Sequence, residues 1–198
     1  MATVGHREDL LAGAKRCIYE RGYARTTARD IVAASGTNLA SIGYHYGSKE
    51  ALLNAALIEA TGEWGESLVA AIAAADDPDP MRRFELALDA MLASFEQHRP
   101  MIAAQFEAVV QVLHSDVVRT SLAAVVGQAR EGLAELFYGI DPAAEPELSA
   151  TVGALVHVML SGLMAQWLVD PAQAPTGHQL AEGLRAVVSG VRGSATTR

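Results

Sequence analysis

Residues 27–53 read TARDIVAASGTNLASIGYHYGSKEALL, and the division of this stretch into short capped segments decides the fold. Thr27 stands three residues before Asp30, the spacing of a capping box, in which a hydroxyl and a carboxylate each satisfy a backbone N–H of the first turn. Ile31 to Ala34 follow as an apolar run, and Ser35-Gly36 stops it, because glycine takes the left-handed conformation of a tight helix exit without steric cost. Asn38 then caps a second short helix over 39–46. Gly47-Ser48 breaks and recaps the chain, and a long helix is predicted from about 49 to 75. Upstream, Leu10, Leu11, Ala14, Cys17 and Ile18 recur at three-to-four spacing in a helix over 7–22 that Gly22 ends. Two short helices joined by a glycine-containing turn, with a third before them, make a helix-turn-helix unit. Such a unit lays the second helix of the pair in the major groove of DNA.

Within 39–46, Ile42 and Tyr46 are four apart and are expected to pack inward on the two preceding helices. Ala40, Ser41, Tyr44 and His45 are left on the other faces, available to DNA. Tyr44 and His45 carry hydrogen-bond donors on aromatic rings that suit phosphate and sugar surface. Lys49 falls in the first turn of the long helix, where a cation opposes the helix dipole unless a phosphate compensates it. Thr27, at another helix N-terminus, would add a phosphate contact beside Arg29. The face is poor in the Arg, Asn and Gln side chains that read bases bidentately, so it points to DNA without naming a base sequence.

The same stretch resembles the signature of the TetR family of repressors. The shared elements, in order, are Thr27, Gly36, the run Tyr44-His45-Tyr46, and Ser48-Lys49-Glu50-Ala51-Leu52. The resemblance covers the first quarter of the chain closely and the rest in length and helical pattern. It implies an all-α protein, with a three-helix helix-turn-helix head at 1–47, a larger ligand-sensing and dimerisation body at 48–192, and a disordered tail at 193–198. The implied DNA contacts are Thr27, Arg29, Asn38, Ala40, Ser41, Gly43, Tyr44, His45 and Lys49. Two positions depart from the family pattern. Gly43 stands where an aromatic residue is more usual, and costs about 1 kcal/mol relative to alanine inside a helix. Thr37 replaces an aliphatic turn residue and is expected to loosen the turn.

Composition agrees with a helical protein that handles DNA at one end only. Hydrophobic residues make up 51% and charged residues 19% of the 198, enough to bury a core and too apolar for a disordered chain. Residues 1–53 carry seven Lys and Arg against five Asp and Glu, whereas the remainder carries eight against eighteen. A basic head on an acidic body steers only the head toward a polyanion. Cys17 is the single cysteine, so neither a disulfide framework nor a thiolate metal cage is expected, and the setting is expected to be cytoplasmic. The N-terminus lacks the pattern of a secretory signal.

Beyond the acidic loop at Asp76-Asp77-Pro78-Asp79-Pro80, helices are predicted at about 81–97, 101–113, 115–138, 146–169 and 177–192. No charged residue occurs from Ser149 to Val169, a length that could cross a bilayer. Its flanks are Glu147 and Asp170 and it contains His157 and Gln166, so the expectation is a helix buried all round, partly by a second subunit, with no membrane. The resemblance implies a homodimer through 149–169 and 177–192 that reads an inverted-repeat operator in double-stranded DNA. A charge at Leu160 or Leu163 is expected to dissociate or unfold it.

The resemblance also implies a mostly apolar effector cavity in the body, with Trp64, Met91, Phe95, Gln105, Phe106 and His157 as candidate contacts. Plain core packing is the competing reading for these residues. A repressor released by a small apolar or amphipathic effector would follow, signalling through the helix over 49–75 with Gly62 and Gly65 beside Trp64. Catalysis is not expected. His6, His45, His98, His114, His157 and His178 form no metal-binding spacing, Ser161 lacks a nucleophile elbow, and no phosphate-binding glycine loop or cofactor motif occurs. A helical adaptor without DNA binding is the alternative, but it has no use for Lys49 or the aromatic-His-aromatic run.

Overall fold

The computed structural model describes residues 2–73 and 77–195. Among them are eight helices and no strand: α1 Ala2–Arg21, α2 Ala28–Ser35, α3 Leu39–Tyr46, α4 Lys49–Ala73, α5 Pro80–Gln111, α6 Asp116–Tyr138, α7 Pro146–Val169 and α8 Gly177–Ala195. The all-α expectation holds. The predicted helix end at Ala75, Asp76 of the acidic loop, and residues 196–198 of the predicted tail lie outside the described residues, while 193–195 belong to α8.

The helix break expected between 97 and 101 is absent, since α5 is continuous with Pro100 inside it. A proline there removes one intrahelical bond and crowds the carbonyl four residues earlier, at about 3 kcal/mol. Phe95 before it and Met101 and Ile102 after it are fully buried. At roughly 1.5–3 kcal/mol for each such side chain, their burial outweighs the lost bond.

The chain divides into two compact units, Met1–Gly65 with His98–Gln128, and Glu66–Gln97 with Ala129–Arg198. In the first, α1, α2 and α3 pack on one another, and Leu10, Ala14, Ile18, Ile31 and Ile42 form the seam between them. Leu52, Leu53 and Ala56 of α4 and Met101, Ile102 and Ala108 of α5 are buried in the same unit. Lys15 reaches from α1 to Glu59 and Glu63 of α4, at 2.9 and 2.6 Å. Burial works against the charge on Lys15, and its bonds to Glu63 and Glu59 outweigh that, so its pKa stands above the ordinary value.

Aromatic rings organise the second unit. Phe84 packs edge-on to Phe137 at 5.7 Å and stacks on Tyr138 at 6.1 Å, and Phe95 meets Trp167 at 5.2 Å. On α7, Ser149, Gly153, Val156, Leu160, Leu163 and Trp167 make one buried stripe at the three-to-four spacing of a helix face. Gly153 is required there: a Cβ would lie 1.9 Å from the Arg130 carbonyl oxygen of α6. Among the described residues α7 is the one helix long and apolar enough to cross a membrane. Its apolar side chains do not stop at the buried stripe, because Leu148, Leu155 and Val158 remain 46%, 52% and 64% exposed. Val187 and Val188 on α8 are exposed as well. The side chains of Leu160 and Leu163 are thus covered within the chain itself.

Candidate nucleic-acid interface

Short-range chemistry builds the reading head as its sequence predicts. Thr27 takes an extended conformation; its hydroxyl accepts from the Asp30 N–H at 3.2 Å, and its own N–H donates to the Asp30 carboxylate at 2.9 Å. Hydrogen bonds from the Thr27 side chain and backbone hold the Asp30 carboxyl below its ordinary pKa. Gly36 closes α2 in the left-handed region at φ 68°. Across it the Ser35 and Thr37 hydroxyls bond at 2.7 Å, so Thr37 ties the turn instead of loosening it. The Asn38 side chain accepts from the Ser41 N–H at 3.1 Å and opens α3. Gly47, at φ 78°, ends that helix, and the Ser48 hydroxyl accepts from the Ala51 N–H at 3.0 Å to start α4.

On α3, Ala40, Gly43 and Tyr44 are exposed at i, i+3 and i+4, which places them on one face. Tyr44 is 77% exposed, a large outlay of aromatic surface for a free protein. Asn38 on the approach to α3, and Thr27 and Arg29 at the start of α2, are also exposed. His45 is half-buried, its ring edge-on to Tyr44 at 4.8 Å. Ile42 is buried and Tyr46 is half-buried against α1, with its hydroxyl donating to the Arg7 carbonyl at 2.9 Å and the Arg7 guanidinium over its ring. Ser41 faces inward too, at 8% exposure, so the structure does not place it with the open residues as the helix-face argument expects. An eight-residue helix has only two turns, and packing on two neighbours covers more of it than one apolar stripe indicates.

Lys49 is turned back rather than outward. Its ammonium donates to the Thr26 carbonyl at 3.1 Å and lies 3.4 Å from Glu50. Of the head's other cations, Arg21 pairs with Asp30 at 3.3 Å and Arg16 donates to the Ala34 carbonyl. Nothing lies within 4 Å of a Cβ added at Gly43. Gly43→Ala should therefore stabilise the free protein by about 1 kcal/mol, raising Tm by roughly 2–4 °C in a calorimetric scan. If the glycine serves close approach to DNA, the same variant binds DNA more weakly. Unchanged DNA affinity would leave Gly43 no role in contact.

The candidate effector contacts fall into both units. Trp64, Gln105 and Phe106 belong to the first: Trp64 is 6% exposed and stacked on His98 at 5.5 Å, and Gln105 donates to the Thr61 hydroxyl at 3.1 Å. Met91, Phe95 and His157 belong to the second. Phe95 is fully buried against Trp167, and burial followed by the Arg130 charge pushes the His157 pKa below its ordinary value. The residues that sequence reasoning missed lie in the turn between α1 and α2, where Glu107 of α5 accepts from the Ala24 N–H at 2.7 Å. No local pattern marks a partner 83 positions away.

Residues 10–56 match the profile of the family described as bacterial regulatory proteins, tetR family. Over 65 residues the chain is 35% identical to the HTH-type transcriptional repressor AcnR of Corynebacterium efficiens, covering 33% of this chain and 35% of the relative. Over 75 residues it is 34% identical to the HTH-type transcriptional regulator TtgR of Pseudomonas putida, covering 38% and 35%. The chain thus matches about a third of the length of these relatives. The whole fold is similar to a transcriptional regulator from Pseudomonas aeruginosa PAO1, at TM-score 0.66 and 20% identity over 96% of this chain and 91% of that one. It is also similar to the multidrug binding protein EbrR, solved with imidazole, at TM-score 0.65 and 21% identity over 91% and 93%.

Proposed function

We propose, from the membership of this chain in the tetR family of bacterial regulatory proteins, that it is a transcriptional repressor that binds an inverted-repeat operator as a homodimer and is released by a small apolar or amphipathic effector. The carrying observation is that the family match runs from Leu10 in α1 to Ala56 in α4, and so spans the whole helix-turn-helix and the start of the helix behind it. In this reading 1–47 form the DNA-binding head and 48–192 the sensing and dimerisation body. The exposed Thr27, Arg29, Asn38, Ala40, Gly43 and Tyr44 meet the duplex, and His45 and Lys49 support them. Ser41 contributes through its backbone, bonded to the Asn38 cap. The Tyr44 hydroxyl suits a phosphate while its ring covers sugar.

Lys49 has a specific task in the proposed complex. In the free chain its ammonium donates to the Thr26 carbonyl and lies 3.4 Å from the Glu50 carboxylate, and in the complex a phosphate would take the place of the neutral carbonyl as a charged acceptor. Binding to DNA fragments flanking the gene, followed by gel shift, tests the whole reading. In that assay Lys49→Ala should weaken binding alike on all sequences and lower the log-salt slope by about 1. An unaltered slope removes Lys49 from the interface.

Effector release is proposed to act through α4, which carries Lys49 at its start and Trp64 about four turns on. Gly62 and Gly65 flank Trp64 with open space around both, which softens the helix there. EbrR, a fold neighbour, is described as a multidrug binding protein, and this supports a small-molecule effector here. Weakening operator binding 100-fold needs about 2.7 kcal/mol of differential effector affinity. Burying three or four methylene groups better in one state supplies that, at roughly 0.8 kcal/mol each.

A further inference from the structure

We infer that Glu107 is a positioning residue for the reading head, holding the α1–α2 turn through its hydrogen bond from the Ala24 N–H, and that DNA affinity depends on this bond. The inference rests on the DNA-binding reading above and adds to it a residue 83 positions from its partner.

The turn is held by two helices. From α4, Lys49 donates to the Thr26 carbonyl at 3.1 Å, and the Asn54 side-chain oxygen accepts from the Tyr23 hydroxyl at 2.6 Å in a buried pair. Burial followed by the Glu50 charge pushes the Tyr23 phenol up to about 12, so it stays a donor through the whole physiological range. From α5 comes Glu107, whose carboxylate accepts from Ala24 at 2.7 Å. The carboxylate also crowds Gly22: a Cβ there would stand 3.3 Å from one of its oxygens, and the glycine already sits at φ 85°. The positive φ calls for glycine, and a side chain there would also press on the carboxylate.

The charge makes this placement informative. Gly22 follows the C-terminus of α1, and an anion beside a helix C-terminus opposes the helix dipole. The Arg25 guanidinium stands close by, 3.8 Å from the same Cβ position. A charge-assisted bond to Ala24 offsets that cost. The turn leads directly into Thr27, the N-cap of α2, which is itself a proposed DNA contact. Displacing Ala24 therefore displaces the start of α2 relative to α1, and with it the spacing between Thr27 and the open face of α3.

The test compares the full-length wild type with Glu107→Gln and Glu107→Ala. Glutamine keeps a carbonyl acceptor at the same reach and alanine keeps none. Amide hydrogen exchange at Ala24 should be slow in the wild type and Glu107→Gln and fast in Glu107→Ala. Gel shift on the same flanking DNA should show Glu107→Ala binding about 10-fold more weakly, the worth of one hydrogen bond to a charged group, with Glu107→Gln recovering most of the loss. Ala24 exchange that is equal in all three proteins overturns the inference. So does slow exchange lost in Glu107→Ala with no change in DNA affinity. A Glu107→Ala variant that loses its helical signal altogether makes Glu107 a plain stability residue, and also overturns it. If the wild type shifts no fragment, the regulator reading fails and the claim on DNA affinity fails with it, whereas Ala24 exchange still decides whether Glu107 holds the turn.

Discussion

In the proposed homodimer, replacing Leu155 and Val158 together by glutamate is expected to leave a folded monomer and to abolish operator binding. Both residues lie on the side of α7 that the chain leaves open, at 52% and 64% exposure. A protomer loses only part of each side chain's internal contact when they become charged. A two-fold interface, however, repeats each substitution on both partners, and an unpaired charge buried there costs several kcal/mol. Association should weaken by 100-fold or more, since about 1.4 kcal/mol is a factor of ten. Sedimentation at micromolar concentration reads the mass, and circular dichroism confirms that the helices persist. A double variant that still sediments as a dimer would show that this face is not the interface. Charges at Leu160 or Leu163 answer a different question, because these side chains are only 7% and 2% exposed within the chain. Substitution there unfolds the second unit before any interface is tested.

The second large effect is expected at Gly153. Its backbone approaches Arg130 of α6 so closely that a methyl group would stand 1.9 Å from a carbonyl oxygen, well inside van der Waals contact. Neither backbone can yield without parting α6 from α7. Overpacking of this kind costs typically 1–3 kcal/mol and at times more, against the 1 kcal/mol or so that alanine gains over glycine in a helix. The obstacle here is rigid backbone, so Gly153→Ala should lie at the upper end and lower Tm by about 5–10 °C. Gly43→Ala is its control, the same chemical change on an open surface with the opposite sign. Calorimetry finding the two variants equally stable would refute the packing argument.

Local chemistry made most of the head legible. The Thr27-Asp30 box, the Gly36 exit, the Asn38 cap and the Gly47-Ser48 junction all follow from which backbone groups a short helix leaves unpaired, and these need only near neighbours. What depends on tertiary contact did not show in the same way. Pro100 reads as a helix end, and only the burial of Phe95, Met101 and Ile102 around it explains its tolerance. Ser41 has no apolar signal, yet it is covered. Lys49 reads as an outward cation from its place in the first turn, and the structure turns it onto Thr26. Trp64 and Phe95 read first as core and only through the family resemblance as pocket, because a ring on an apolar face suits either. Glu107 carries no motif at all, being one acid on a long helix until the turn it meets is seen.

The open apolar side of α7 bears on the genetics of the protein. If chains pair through it, pairing does not consult the reading head, and a chain with a ruined α3 would be accepted as a partner as readily as an intact one. Such a mixed pair presents one competent recognition helix to a site built for two. Alleles that damage Tyr44 or the Asn38 cap should therefore behave as dominant, silencing the normal copy expressed beside them. Alleles that place a charge at Leu155 or Val158 should be recessive, since their products no longer enter the pair.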